Sequence, residues 1–271
     1  MYGTIIAFKE FKISKGILGS EWVGLKHFVK FLEFYQFPMI LKNTLVISIY
    51  STIAGFAVKL ILSLSLHCMR AKAYKKVIQT VTYMPHFISV VVMVGMMIRF
   101  FNPTFGPISK LIQAMGGTNR DLFGVAGAIP HLYVWSGIWQ NAGWSTILYL
   151  AALSGVDPTL HEAAIVDGAT RMHRIWHIDI PTLLPTIVIT LIMDVGNIMS
   201  VGSAKMLLMQ NDLNLSTSEI ISTYVYSVGV SSASPRYSYG AAIGLFNNIV
   251  NYILLVTVNT ISKKLKQATL W

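Results

Sequence analysis

The chain alternates between long apolar stretches and short polar ones. A helix that crosses a bilayer needs about 20 mostly apolar residues. Five windows meet that length: 44–66, 77–101, 125–152, 182–201 and 240–261. Pro85 interrupts the second, Pro130 lies near the start of the third, and Pro185 falls in the first turns of the fourth. Such prolines are tolerated inside a membrane when neighbours re-satisfy the freed carbonyls. The pattern therefore predicts an all-α polytopic membrane protein with about five transmembrane helices. Between the windows lie 67–76, 102–124, 153–181 and 202–239. Asn102-Pro103 and Gly106-Pro107 predict a turn followed by a surface helix. The 202–239 segment reads as a long polar loop, with Ser231 to Pro235 as a breaker.

Composition supports this assignment. Charged residues make up 12% of the chain and hydrophobic ones 54%, against roughly 25% charged in a soluble domain. The net charge of +10 comes from scattered bases. They form no concentrated face for phosphates, which excludes a nucleic-acid partner and leaves membrane lipid headgroups as theirs. Cys68 is the single cysteine, so no intrachain disulfide can form. No phosphate-binding loop pattern occurs. Any ATP and magnesium that drive this protein are expected on another chain, and no cofactor is expected on this one.

The bases set an orientation. Segments 67–76, 153–181 and the C-terminus hold Arg70, Lys72, Lys75, Lys76, Arg171, Arg174, Lys263, Lys264 and Lys266. The opposite side, after residue 42, holds Arg99, Lys110, Arg120, Lys205 and Arg236. The richer, shorter loops are expected in the cytoplasm. Residues 1–42 then lie outside, although they carry Lys9, Lys12, Lys15, Lys26, Lys30 and Lys42. Met1 to Phe8 looks like the outer end of a helix whose beginning is absent, so an additional first helix is expected in the natural protein or its family.

Residues 153–181 predict a helix-turn-helix. Asp157 is a good N-cap and Pro158 suits the first helical position. Glu162 sits near the positive end of the helix dipole. Ala163 and Ala164 add no bulk, and Gly168 can end the helix in the left-handed region. A second helix is expected from Ala169 to Ile180, separated by Pro181 from the next span. The segment is either an ordinary amphipathic connector or a bare elbow that admits a partner closely.

Ionisable and amide groups inside spans suggest function. Asp194 and Asn197 are three apart and expected on one helix face. Asn247 and Asn251 share a face in the last window, with Asn248 beside it. These groups either line a polar path through the span or make interhelical hydrogen bonds. Lys59 is expected to snorkel toward headgroups. Trp135, Trp139 and Trp144 accompany Gln140 and Asn141, and rings with amides suit stacking and hydroxyl recognition. Membrane interfaces are also rich in tryptophan. Trp139 with Gln140 is the favoured pair for the path. His161-Glu162 lacks the second histidine of a zinc-protease motif. His173 and His177 are four apart but lack a convincing third ligand, so no metal site is expected. No nucleophile–base pair stands out, so no enzymatic activity is expected.

The spacing Glu162-Ala163-Ala164-x3-Gly168-x9-Ile178-x-Ile180-Pro181 resembles the EAA loop of ATP-binding-cassette importer permeases. Its one departure is Ile180, where leucine is usual. Further stretches resemble the maltose-permease type and its complex-oligosaccharide subfamily. They include Ala7-Phe8-Lys9-Glu10-Phe11, Trp22-Val23-Gly24-Leu25, Tyr83-Met84-Pro85-His86-Phe87-Ile88-Ser89, Tyr149-Leu150-Ala151-Ala152-Leu153, Thr223-Tyr224-Val225-Tyr226 and Leu270-Trp271.

The resemblance implies a permease fold of six or more helices, of which the first is missing here. Residues 43–271 would form the permease domain, in the cytoplasmic (inner) cell membrane. Glu162, Ala163, Ala164, Asp167, Gly168, Ile178 and Pro181 would belong to the loop that couples to an ATPase. It also implies a homologous second permease, two ATPase subunits, an extracytoplasmic solute-binding protein and a sugar substrate. The 202–239 segment, including Glu219 to Gly229, would help form the outer docking surface. The alternative is a self-contained secondary transporter, which needs inverted repeats and buried ion-coupling acids. Asp194 is the only acid well inside a window, and no repeat is visible.

Overall fold

The computed structural model describes residues 2–117 and 120–270. Trp271, half of the terminal Leu270-Trp271 pair, lies outside them, as does Met1. The described residues are helical apart from turns and one two-residue ladder. In that ladder Lys9 pairs with Trp22 and Glu10 with Glu21, antiparallel.

Among the described residues, three helices are long and apolar enough to span a membrane: Phe37–His67, Arg171–Gly196 and Tyr237–Lys264. A bent pair, Lys72–Phe87 with Val90–Phe100, makes a fourth if counted as one broken span. By length and hydropathy alone the described residues thus give three or four spans, where the pattern predicts about five. The helix in the third window, Ile129–Ser154, has the length, at 26 residues. Its His131, Gln140, Asn141 and several hydroxyls make it less apolar than the other three. The second window breaks at its proline: helix Lys72–Tyr83 ends in a tight turn, Met84–Phe87, before Val90–Phe100 begins.

The chain divides into two compact units. The first takes the residues up to Ile49, Val90–Tyr133 and Asn197–Leu254. Its core joins Phe31, Ile40, Met199, Ile221, Tyr224, Tyr239 and Ile243. Phe31 and Phe34 stack on Tyr224 with centroids 6.2 and 5.2 Å away. The 202–239 segment is not the loop expected. It forms the helices Ser203–Met209, Leu215–Ser218 and Ile221–Tyr226. Within it Ile220, Ile221, Thr223, Tyr224 and Val228 are buried, so most of Glu219 to Gly229 is core rather than open docking surface. Asn214 anchors it, donating from Nδ2 to the Phe123 and Met209 carbonyls. Burial of that amide is tolerated because its hydrogen bonds are made. The break at Ser231 to Pro235 is present.

The second unit takes Tyr50–Ser89, Val134–Gly196 and the residues from Leu255 onward. Tyr149, Leu153, Leu183 and Ile187 form its core, flanked by Phe56, Leu60, Leu64 and Leu191. Gly143 lets helix Ile129–Ser154 approach the Thr82 backbone so closely that a Cβ there would stand 2.9 Å from the Thr82 Cβ and nearer still to its carbonyl. The tail folds back: Leu270 N–H donates to Asn259 Oδ1 at 2.9 Å, and Ser262 donates to the Ala268 carbonyl at 2.7 Å.

Candidate functional site

The elbow expected at 153–181 forms by local rules. Asp157 caps helix Pro158–Val166, accepting from Thr159 N–H at 2.9 Å. That bond holds its carboxyl below the usual carboxylate range. At the other end Gly168 takes φ +80°. Ala169 N–H reaches back to the Ala164 carbonyl at 2.8 Å and Gly168 N–H to the Ile165 carbonyl at 3.0 Å. This closure satisfies carbonyls that a helix end leaves free, and it requires the left-handed residue. Thr170 then caps the next helix, accepting from His173 N–H.

That next helix differs from expectation. It starts at Arg171, not Ala169, and Pro181 does not separate it from the span: Arg171–Gly196 is continuous. A π-helical turn at Ile175–Asp179 is the reason. Ile180 N–H bonds five residues back, to Ile175, which shifts the ladder just where Pro181 has no N–H to give. Thr182 Oγ1 takes up the Ile178 carbonyl at 2.8 Å.

Glu162, Ala163, Asp167 and Gly168 are exposed and Ala164 is half-buried. Leu160, Ile165, Val166, Met172 and Trp176 are also exposed, Val166 at 87%. The elbow thus presents small residues, two acids and an apolar strip. Ile178 is half-buried and Pro181 exposed, on the return helix.

Beneath the elbow lies a cluster that spacing did not reveal. His67 ends helix Phe37–His67, His161 sits in the elbow helix, and Asp179 closes the π turn. Asp179 Oδ1 is 3.2 Å from His161 Nε2 and 3.6 Å from His67 Nε2. Asp179 is 1% exposed. Neither contact is aligned as a hydrogen bond: Oδ1 and both His161 ring nitrogens are buried without a hydrogen-bond partner. His67, His161 and Asp179 line one small cavity of about 190 Å³ with Cys68, Arg70, Arg171 and Arg174. The only hint in the sequence was an acid set between Ile178 and Ile180 at the apolar end of the return segment. Its partners are 18 and 112 positions away. His173 and His177 stack with centroids 5.9 Å apart, and both are exposed.

The polar groups of the spans divide by what they touch. Asp194 Oδ2 pairs with Lys59 Nζ at 2.9 Å. Lys59 also lies over the Phe56 and Tyr149 rings, 5.8 and 5.7 Å from their centroids. Lys59 therefore does not snorkel; a buried ammonium gains more from a carboxylate and two ring faces than from distant headgroups. Asn197 is not on the helix face of Asp194, because the helix ends at Gly196 and Asn197 lies in the following turn. Gln140 Nε2 donates to the Ile88 carbonyl at 2.7 Å, a group left over by the break after Pro85. Asn251 Oδ1 accepts from Met199 N–H at 2.9 Å and its Nδ2 donates to Ser200 at 2.8 Å, filling the same need after Gly196.

Trp139 is about half exposed. Trp135 donates to Tyr50 at 2.8 Å, and Trp144 stacks on His86 with centroids 4.5 Å apart. Asn247 keeps a buried Oδ1 without a hydrogen-bond partner. With Asn248, Ser203, Ser222, Tyr226 and Tyr237 it lines an open cavity of about 520 Å³ in the first unit.

Against known proteins, residues 59–267 match the family described as binding-protein-dependent transport system inner membrane component. The chain is 40% identical over 271 residues to protein LplB of Bacillus subtilis (strain 168), covering all of this chain and 85% of that one. It is 39% identical over 264 residues to the polygalacturonan/rhamnogalacturonan transport system permease protein YteP of the same organism, covering 97% and 82%. Among solved structures, a chain of a bacterial alginate ABC transporter in complex with an alginate pentasaccharide-bound periplasmic protein superposes with TM-score 0.90. It is 32% identical, with 99% of this chain and 88% of that chain covered.

Proposed function

The chain belongs to the family of inner membrane components of binding-protein-dependent transport systems, and from that premise we propose how it works. It is a permease subunit of an ATP-binding-cassette importer for carbohydrate, and its cargo is an oligosaccharide. It hydrolyses nothing itself. ATP and magnesium are bound by two ATPase subunits at the cytoplasmic face. A homologous permease completes the pore through the cytoplasmic membrane, and a solute-binding protein delivers the sugar from outside.

The observation that carries this reading is the way the elbow is closed and joined to a span. Capped by Asp157 and closed by Gly168, it runs through Thr170 into an unbroken span, Arg171–Gly196. An ATPase that grips the small, exposed surface around Glu162 to Gly168 would move the span as one lever, because a continuous helix transmits force without a hinge. Ala163 and Ala164 allow the close approach, the apolar strip supplies buried area, and Glu162 meets a basic group of the ATPase. Cargo would pass the cavity at Asn247 and Asn248, where an unpartnered amide oxygen and tyrosine faces suit sugar hydroxyls.

Reconstitution with the ATPase and partner permease tests this. Glu162→Lys, and separately Gly168→Pro, should leave the complex inserted but cut ATP-driven uptake at least about ten-fold, since loss of one buried charged contact costs about 2–5 kcal/mol. Wild-type uptake in both variants would refute the coupling role.

A further inference from the structure

We propose that His67, His161 and Asp179 form a binding site for a divalent cation of the zinc type, which ties the elbow to two spans. The donor atoms all lie within 4.8 Å of one another. Tetrahedral zinc with ligands at about 2.0–2.1 Å places those ligands about 3.3–3.5 Å apart. The observed 3.2 and 3.6 Å match that spacing, although the atoms are not aligned to hydrogen-bond each other. Asp179 Oδ1 and both ring nitrogens of His161 are buried without hydrogen-bond partners, which is costly in an apolar setting. A cation held by Oδ1, by one His161 nitrogen and by His67 would remove that cost at the two unpartnered atoms it ligates.

The chemistry selects the ion. Two neutral imidazoles and one carboxylate suit zinc and its neighbours, whereas magnesium and calcium prefer all-oxygen shells. Arg70, Arg171 and Arg174 line the same cavity. With one carboxylate the occupied site carries a net positive charge, so these bases lower affinity and favour an anionic fourth ligand such as hydroxide. Only a metal with high intrinsic affinity for imidazole overcomes that. Three chain segments supply the three ligands: the end of helix Phe37–His67, the elbow helix, and the π turn of the return span. An ion there would pin the elbow to both neighbours. The consequence for transport rests on the coupling role proposed above; the binding itself does not.

The test uses the full chain in its assembled transporter, in detergent, with Co²⁺ and then Zn²⁺ as probes. Co²⁺ titration should give one equivalent per chain with the visible absorption of a low-coordinate site, displaced by Zn²⁺. Asp179→Asn, which keeps shape, and His161→Ala should each weaken binding more than about 100-fold, beyond the 10–100-fold typical of outer-shell changes. Monodisperse elution of both variants separates this from unfolding. The double variant His173→Ala/His177→Ala should bind as wild type. Absence of Co²⁺ uptake by the wild type, unchanged affinity in Asp179→Asn, or loss only in the His173/His177 variant would overturn the site. Those outcomes leave coupling intact, whereas wild-type uptake by both Glu162→Lys and Gly168→Pro would overturn coupling and leave the site standing.

Discussion

Replacing Asp194 with asparagine strands a charge that the second unit otherwise neutralises. Lys59 Nζ lies 2.9 Å from the carboxylate, and its side chain is 12% exposed. Removing one member of a fully buried pair costs about 3–5 kcal/mol, chiefly through the orphaned partner. Asp194 is 40% exposed, so solvent screens part of the pair, and the Phe56 and Tyr149 rings still face the ammonium. Those two corrections bring the expected loss for Asp194→Asn to about 1–3 kcal/mol. An apolar replacement of both residues, Lys59→Met with Asp194→Leu, removes the stranded charge as well. It should return to within about 1 kcal/mol of wild type. Unfolding of the purified protein in mixed detergent–SDS micelles, followed by the fluorescence of its six tryptophans, reads wild type, each single variant and the double. A single variant as stable as wild type, or a double variant no better than the single, would refute the reasoning. Sugar uptake by the double variant decides a second question. Normal uptake assigns Asp194 to holding the two helices together. A large fall at normal stability assigns it to the path as well.

Gln140→Leu should cost about 1–3 kcal/mol, because it leaves the Ile88 carbonyl without its 2.7 Å donor next to a proline break; an unchanged unfolding midpoint would contradict this. Burial pushes the Lys205 ammonium down to about 8 from 10.5, so the unfolded chain holds that proton to higher pH than the folded one. The cost of burying the charge is fully present below pH 8, and stability rises between about pH 8 and 10.5 as the folded group loses its proton first. Lys205→Met should abolish that rise, measured as the difference in unfolding midpoint between pH 7 and pH 10, and an identical slope in wild type and variant would count against it.

Features built from neighbouring residues were legible in the sequence. Asp157, Pro158 and Gly168 act within one or two turns of themselves, so their spacing alone locates cap, start and stop. Pro85 and Pro181 show the limit of that reasoning. Both prolines carry the same local signal, yet the first breaks its helix and the second does not. The difference is the π turn at Ile175–Asp179, which shifts the hydrogen-bond ladder before Pro181 arrives. Each of the five apolar windows falls on helix, the second broken at its proline. They did not foresee that 202–239, polar in composition, would fold into short buried helices, because its amides and hydroxyls satisfy one another and the backbone, as Asn214 does at Phe123 and Met209.

The polar groups of the spans follow one rule that the sequence held only in pieces. Inside lipid a broken helix must have its freed backbone groups satisfied by protein. The second window breaks after Pro85, and Gln140 from another helix covers the Ile88 carbonyl. The fourth ends at Gly196, and Asn251 covers the Met199 N–H. Each amide looked like a lining for cargo because its helix was visible in the sequence while the break it serves lay 50 or more residues away. Gln140 already spends its donor on the Ile88 carbonyl, and Asn251 its acceptor on Met199 N–H and its donor on the Ser200 hydroxyl, so a sugar could take them only by reopening the breaks. Asn247, with a free oxygen facing a cavity edged by Tyr226 and Tyr237, carries no such commitment. The search for residues that set cargo preference therefore starts there, with Asn248 beside it, rather than at Gln140.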